Sequence, residues 1–141
     1  MGVLPYVEPI MIALDTNVLA RYLLADDLIQ AEKATQLIEN SEQCFIPLTV
    51  GLELAWVLRA NGIAKEDIID AFENLLTLSN LYFQFSSAWY QALTWAKQGM
   101  DIADALHVAL SNECTGFYSF DKRLLKRGER EHIFPVCIEP K

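Results

Sequence analysis

The stretch IMIALDTNVL, residues 10–19, decides the fold. Ile10 to Leu14 form a short apolar run rich in branched side chains, as a buried strand requires, and the run stops at Asp15. TNVLARYLL, from Thr16 to Leu24, then carries apolar residues at helical spacing. The same handover from strand to helix through a carboxylate returns late in the chain, where GFYSF, residues 116–120, runs into Asp121.

Between these two points strands and helices alternate. Leu28 to Asn40 reads as a polar-faced helix with Ile29, Leu37 and Ile38 apolar, and QCFIPL, residues 43–48, returns as a strand. Thr49 is placed to cap the helix TVGLELAWVLRANG, which Gly62 would end. AKEDIIDAFENLLTLSN is strongly amphipathic, with Ile68, Ile69, Phe72, Leu75 and Leu76 on one side, and LYFQF follows as a third strand. Ser86 or Ser87 would cap a helix carrying Trp89, Leu93 and Trp95. After Gly99 comes the helix DIADALHVALSNE, and HIFPVCI is the last strand. This alternation implies an α/β fold in three layers, with a mostly parallel central sheet covered by helices on both faces.

Length and composition agree with one domain. At 141 residues, 52% hydrophobic and 21% charged, the chain can bury a continuous core. No apolar run approaches the roughly 18 to 20 residues that span a bilayer, and the amino terminus lacks the basic start of a secretory signal. A cytoplasmic protein is expected. Residues 1–10 contain Pro5 and Pro9, which resist a central ladder position, so they read as an extension to a domain over 11–141, with Met11 a candidate native start. Cys44, Cys114 and Cys137 are scattered and form no CxxC pair, and they read as reduced core residues. The net charge of −8 argues against a protein that coats nucleic acid non-specifically. It leaves room for a local cationic track: DKRLLKRGER sets Lys122, Arg123, Lys126, Arg127 and Arg130 beside Asp121.

Four carboxylates then stand out: Asp15, Glu53 in TVGLELAWVL, Asp104 in MDIADALHVAL, and Asp121. In an open α/β sheet the ligand crevice lies outside the carboxyl ends of the strands. Carboxylates gathered there repel one another by about a few kcal/mol even when screened, and a hard cation relieves that repulsion. Each has a bland reading as well. Asp15 and Asp101 are placed to be N-caps. Glu53 misses the three-residue spacing of a capping box and lies among Leu52, Leu54, Ala55, Trp56 and Val57, so it is expected on a largely buried helix and in need of a partner. Asp104 lies one turn inside Asp101 and is the inward candidate. His107, a further turn along, reads as a packed residue rather than a ligand. Asn17 and Ser119 stand two residues from Asp15 and Asp121 and could support them.

At these positions the chain resembles the PIN-domain ribonucleases, and among them the short VapC-type toxins of toxin–antitoxin pairs. LDTNVL, the helix with Glu53, DIADALHVAL and SFDKRL occur in the order that the family shows. The resemblance implies an acidic pocket of Asp15, Glu53, Asp104 and Asp121 binding Mg²⁺ or Mn²⁺. Asp101 is a further possible ligand in that set, and Asn17 and Ser119 give support. It also implies endonucleolytic RNA cleavage. Oxygen-only donors suit those ions better than zinc, and Lys122, Arg123, Lys126 and Arg127 would hold the RNA backbone. A homodimer and a cognate antitoxin protein are the expected partners; the aromatic residues in excess of one core would supply their surfaces. Two alternatives stay open, a catalytically silent PIN-like binding module and an α/β phosphatase. Asn17 stands where the second aspartate of a phosphatase DxD would be.

Overall fold

The computed structural model describes residues 10–141, with Gly2 and Pro5 before them. Most of the extension therefore lies outside the described residues, and with it the reading of residues 1–10 as dispensable. The chain runs β1 (Met11–Ala13), α1 (Thr16–Leu24), α2 (Leu28–Asn40), β2 (Gln43–Ile46), α3 (Leu48–Ala60) and α4 (Lys65–Thr77). It continues with β3 (Leu81–Phe83), α5 (Ser86–Lys97), α6 (Ile102–Ala109), β4 (Gly116–Tyr118), α7 (Lys122–Arg130) and β5 (Val136–Ile138). Every ladder is parallel, as the alternation of strands and helices requires.

The strands are distributed over two sheets, β1-β2-β3 and β4-β5. In the first, Ile12 pairs with Cys44, Cys44 with Leu81, and Ile46 with Phe83. Cys44, Ile46, Leu81 and Phe83 share the face turned to the core, and all four are buried. The other face carries Phe45 and Tyr82 and is less fully covered, with Tyr82 42% exposed.

Under the buried face the core is aromatic. Trp89 of α5 stacks on Phe72 of α4 with ring centroids 5.0 Å apart and meets Phe83 edge-on at 5.7 Å. Such pairs add about 0.5–1.5 kcal/mol each beyond area burial. Trp89 also reaches α3 at Gly51, where an added Cβ would lie 2.5 Å from the indole. Gly51 is therefore a packing residue: a helix interior pays for glycine to admit the indole edge.

Several local expectations are corrected. Thr49 does not cap α3; it lies inside the helix after Pro47, and the amide of Leu48 donates instead to Gln84 Oε1 at 2.9 Å, across 36 residues of chain. Neither Ser86 nor Ser87 caps α5, whose N-cap is Phe85 in the left-handed region at φ 56°. The helix expected to run to Glu113 ends at Ala109. β5 starts only at Val136, because Pro135 has no N–H for a ladder and His132 is left-handed at φ 51°. Of the cysteines, Cys44 is buried, Cys137 half-buried and Cys114 exposed, all as free thiols, so Cys114 is not a core residue. Among the described residues no helix is long and apolar enough to cross a membrane.

Candidate active site

Three of the singled-out aspartates sit at the same kind of place, the N-terminus of a helix. Asp15 Oδ1 accepts from the amide of Thr16 at 2.8 Å, and Asp101 Oδ2 from that of Asp104 at 3.1 Å. Asp121 Oδ1 accepts from the amides of Arg123 at 2.9 Å and Leu124 at 3.3 Å. A carboxylate there satisfies amides that the helix leaves unpaired and meets the positive end of the helix dipole. Ser119 fixes the turn before α7, its Oγ accepting from the Asp121 amide at 3.0 Å. The capping role and a role in a site are compatible, because Asp121 spends only Oδ1 on the cap.

Asp101, Asp104 and Asp121 line one cleft of about 690 Å³ between the starts of α6 and α7. Asp104 projects from the first turn of α6 and is half-buried. Burial pushes its carboxyl above the usual range, the negative charges of Asp101 and Asp121 push it further, and His107 on the same helix partly offsets them. His107 itself is exposed, not packed as expected.

Cations line the same cleft. Arg123, Lys126, Arg127 and Arg130 of α7 line it, and Arg59 and Lys65 join them from the end of α3 and the start of α4. Arg127 lies over Gly99 and donates to the Gln98 carbonyl at 3.4 Å. Gly99 has φ +115°, a backbone conformation that favours glycine, and a Cβ there would displace the Arg127 guanidinium, whose carbon lies 2.7 Å from that position. Lys65 Nζ donates to the Met100 carbonyl at 2.6 Å. Burial lowers its pKa, the Asp101 carboxylate raises it, and the charges of Arg127 and Arg59 lower it again. Several cations gathered in one cleft can bind an anion. Arg59 also stands 3.6 Å from Asp101, the distant partner that no local spacing offered it.

The remaining expected residues lie elsewhere. Asp15 and Asn17 do not line the cleft. Glu53 is exposed, because α3 buries the stripe Gly51, Leu54 and Leu58 and turns Glu53 and Trp56 outward. Glu53 is thus not the largely buried carboxylate expected, and exposure leaves it no need of a partner. It lines a second cavity of about 610 Å³. Lys122 points away from the cleft and pairs with Glu139 at 2.7 Å. Among the described residues no three His, Cys, Asp or Glu side chains stand close enough to grip one ion. Asp101, Asp104 and Asp121 bring oxygen donors and crowded negative charge to the cleft, while Asp15 and Glu53 stand outside it. Lys65 and Arg59 were not singled out from the sequence, since only tertiary proximity brings them to the acidic residues.

A search of curated proteins gives no match. The PIN domain family model matches residues 12–130, from β1 to the end of α7, and that span holds Asp15, Glu53, Asp101, Asp104 and Asp121. PIN domains are generally nucleases that use divalent metals. The chain belongs to the PIN domain family.

Proposed function

We propose that this protein is a Mg²⁺- or Mn²⁺-dependent endoribonuclease, acting in the cytoplasm as the VapC-type toxin of a toxin–antitoxin pair. The observation that carries the reading is the cleft that the charge-crowded Asp104 and the neighbouring Asp121 share with a set of arginines and lysines. Asp104 and Asp121 would hold the ion with Asp101 beside them, Asp15 and Glu53 would complete the acidic set, and Asn17 and Ser119 would support it. When bound, the ion supplies an acidified water for in-line attack on a phosphodiester and offsets charge on its oxygens. The chain's own residues do the rest. Arg123, Lys126 and Arg127 bind the backbone phosphates on either side of the scissile bond, and Lys122, at the first position of the same helix but paired with Glu139, stands at the edge of that track. Asp121, held by Ser119 and the α7 amides, is kept from swinging into the phosphate path.

For partners we propose a homodimer and an antitoxin that sends an arginine or lysine toward Asp104. Exposed Tyr118, Phe120, Phe134 and Val136 around the β4-β5 ladder support such a surface. Internal cuts in RNA that need Mn²⁺ or Mg²⁺, that EDTA abolishes, and that leave 5′-phosphate and 3′-hydroxyl ends are the expected result. Cyclic phosphate ends would overturn it, since they report attack by the 2′-hydroxyl.

A further inference from the structure

The loop between α5 and α6, residues 98–101, delivers Asp101 and Asp104 to the cleft, and its backbone is satisfied from two sides. Its amides turn back onto α5: those of Gln98 and Met100 donate to the Trp95 carbonyl and that of Gly99 to the Ala96 carbonyl, each at 3.1 Å. The Met100 side chain is buried in the core. The carbonyls are left to other elements, and a carbonyl withdrawn from water without a donor is costly. Lys65, the first residue of α4, donates from Nζ to the Met100 carbonyl at 2.6 Å, across 35 residues of chain. Arg127 and Arg59 reach the same loop more loosely, at 3.4 Å from the Gln98 carbonyl and 3.6 Å from Asp101 Oδ1. Lys65 does nothing for its own helix. A cation at the first position meets the positive end of the α4 dipole, which Glu66 and Asp67 in the same turn suit better.

We propose that Lys65 is a positioning residue of the acidic cleft: through the Met100 carbonyl it fixes the first turn of α6, and with it Asp101 and Asp104, rather than binding RNA itself. This rests on the nuclease reading above and adds a residue to that site. The route from Lys65 to Asp104 is short. Asp101 follows Met100 directly, its Oδ2 accepts from the Asp104 amide at 3.1 Å, and its carbonyl accepts from the Ala105 amide at 2.8 Å. A displacement of Met100 is therefore passed to the first turn of α6 through one peptide unit and two hydrogen bonds. Oxygen donors for a divalent ion tolerate little displacement, and groups that hold a ligand in place typically cost about 10- to 100-fold in metal affinity or activity when removed. Arg59 is exposed and loosely paired, so it stays free to swing toward a phosphate, whereas the Lys65 ammonium is already committed to main chain.

The test compares the full chain with Lys65→Met, which keeps the stem and loses the donor, and Lys65→Arg, which restores a donor. Because Lys65 is exposed, both variants should fold. In EDTA, amide hydrogen exchange at Asp104 and Ala105 should be faster in Lys65→Met than in wild type, with the α7 amides unchanged. With Mn²⁺, the concentration giving half of the thermal shift should rise about 10- to 100-fold and kcat should fall by a similar factor, while KM for RNA stays within about threefold. Lys65→Arg should return both to within about threefold of wild type. A raised KM with unchanged kcat, or a salt slope of RNA binding reduced by about 0.7, would make Lys65 a phosphate contact and overturn the proposal. So would a lowered melting temperature with unchanged exchange at Asp104 and an unchanged Mn²⁺ half-point, which is what a merely structural lysine gives. The same samples separate the two readings. A Mn²⁺ half-point that depends on Lys65 in a protein that cuts no RNA sinks the nuclease and keeps the positioning role; cleavage by Lys65→Met with wild-type kcat and Mn²⁺ half-point does the reverse.

Discussion

Asp104 and Asp15 are the same side chain at the start of a helix, yet their surroundings differ. Asp104 stands half-buried between Asp101 and Asp121, with its carboxyl pushed up by burial and by their charges. Asp15 is exposed, holds the amide of Thr16, and lines neither cavity. One carboxylate is a liability that a cation or a proton relieves; the other already does a local structural task. Position at a strand-to-helix junction thus does not distinguish site from cap. Crowding by like charge does.

The largest expected effect tests that distinction directly. Asp104→Asn should cut RNA cleavage by more than about 100-fold, since even groups one layer out from a metal typically cost about 10–100-fold. It should also shrink the stabilisation given by Mn²⁺, which binds only the native state. Apo stability at neutral pH should be unchanged or higher. The sign follows from the raised carboxyl: its contribution is fully present below the unfolded value and is lost as pH rises through the folded value. The Asp104 contribution to the stability of metal-free wild type should therefore grow as pH falls from neutral toward about 4, so that the stability difference between Asp104→Asn and wild type shifts in favour of wild type over that range. Asp15→Ala should instead lose about 1 kcal/mol for its cap. Melts with and without Mn²⁺ decide whether Asp15 also belongs to the metal set. An undiminished Mn²⁺ shift in Asp104→Asn would break the comparison and remove Asp104 from the site.

A smaller effect comes from the cations. Lys126 lines the cleft, whereas Lys122 is paired to Glu139 outside it. Lys126→Ala should weaken RNA binding and lower the salt slope by about 0.7, the value of one phosphate contact on a single strand. Lys122→Ala should leave the slope unchanged. Equal losses in both variants, in binding measured across a salt series, would show that α7 acts as a diffuse positive field.

Much of this was legible in the sequence, and the failures have physical causes. α1 and α2 occupy the expected spans because their signals are local: an aspartate cap at each start and a stripe at helical spacing. The pair Asp101 and Asp104 was legible for the same reason, one capping the other's amide. The cap of α3 was not, because Gln84 supplies it from the far side of β3. Lys65 and Arg59 carry no pattern of their own and reach the site only through the packing of α3 and α4 beside α6. Glu53 differs again. The stripe Gly51, Leu54 and Leu58 was present at helical spacing and already turned Glu53 outward, but apolar neighbours on both sides masked it.

The smallest expected effect concerns the strand that delivers Asp15. β1 is three residues long and pairs only with β2 among the described residues, with Met11 opposite Gln43 and Ala13 opposite Phe45. Just before it, Ile10 donates its amide to Glu42 at 3.1 Å in an exposed position. An exposed hydrogen bond to a mobile carboxylate contributes at most about 1 kcal/mol. A chain beginning at Met11 loses that bond while the β1-β2 ladder and the Leu14 amide bond to Phe45 at 3.0 Å remain. It should melt within about 3 °C of the full chain and keep its metal-dependent cleavage. Substituting Glu42→Ala in the full chain should reproduce the small shift. A much larger loss on truncation than on Glu42→Ala would show that the residues before Met11 hold β1 in place, and that Asp15 depends on them for its position.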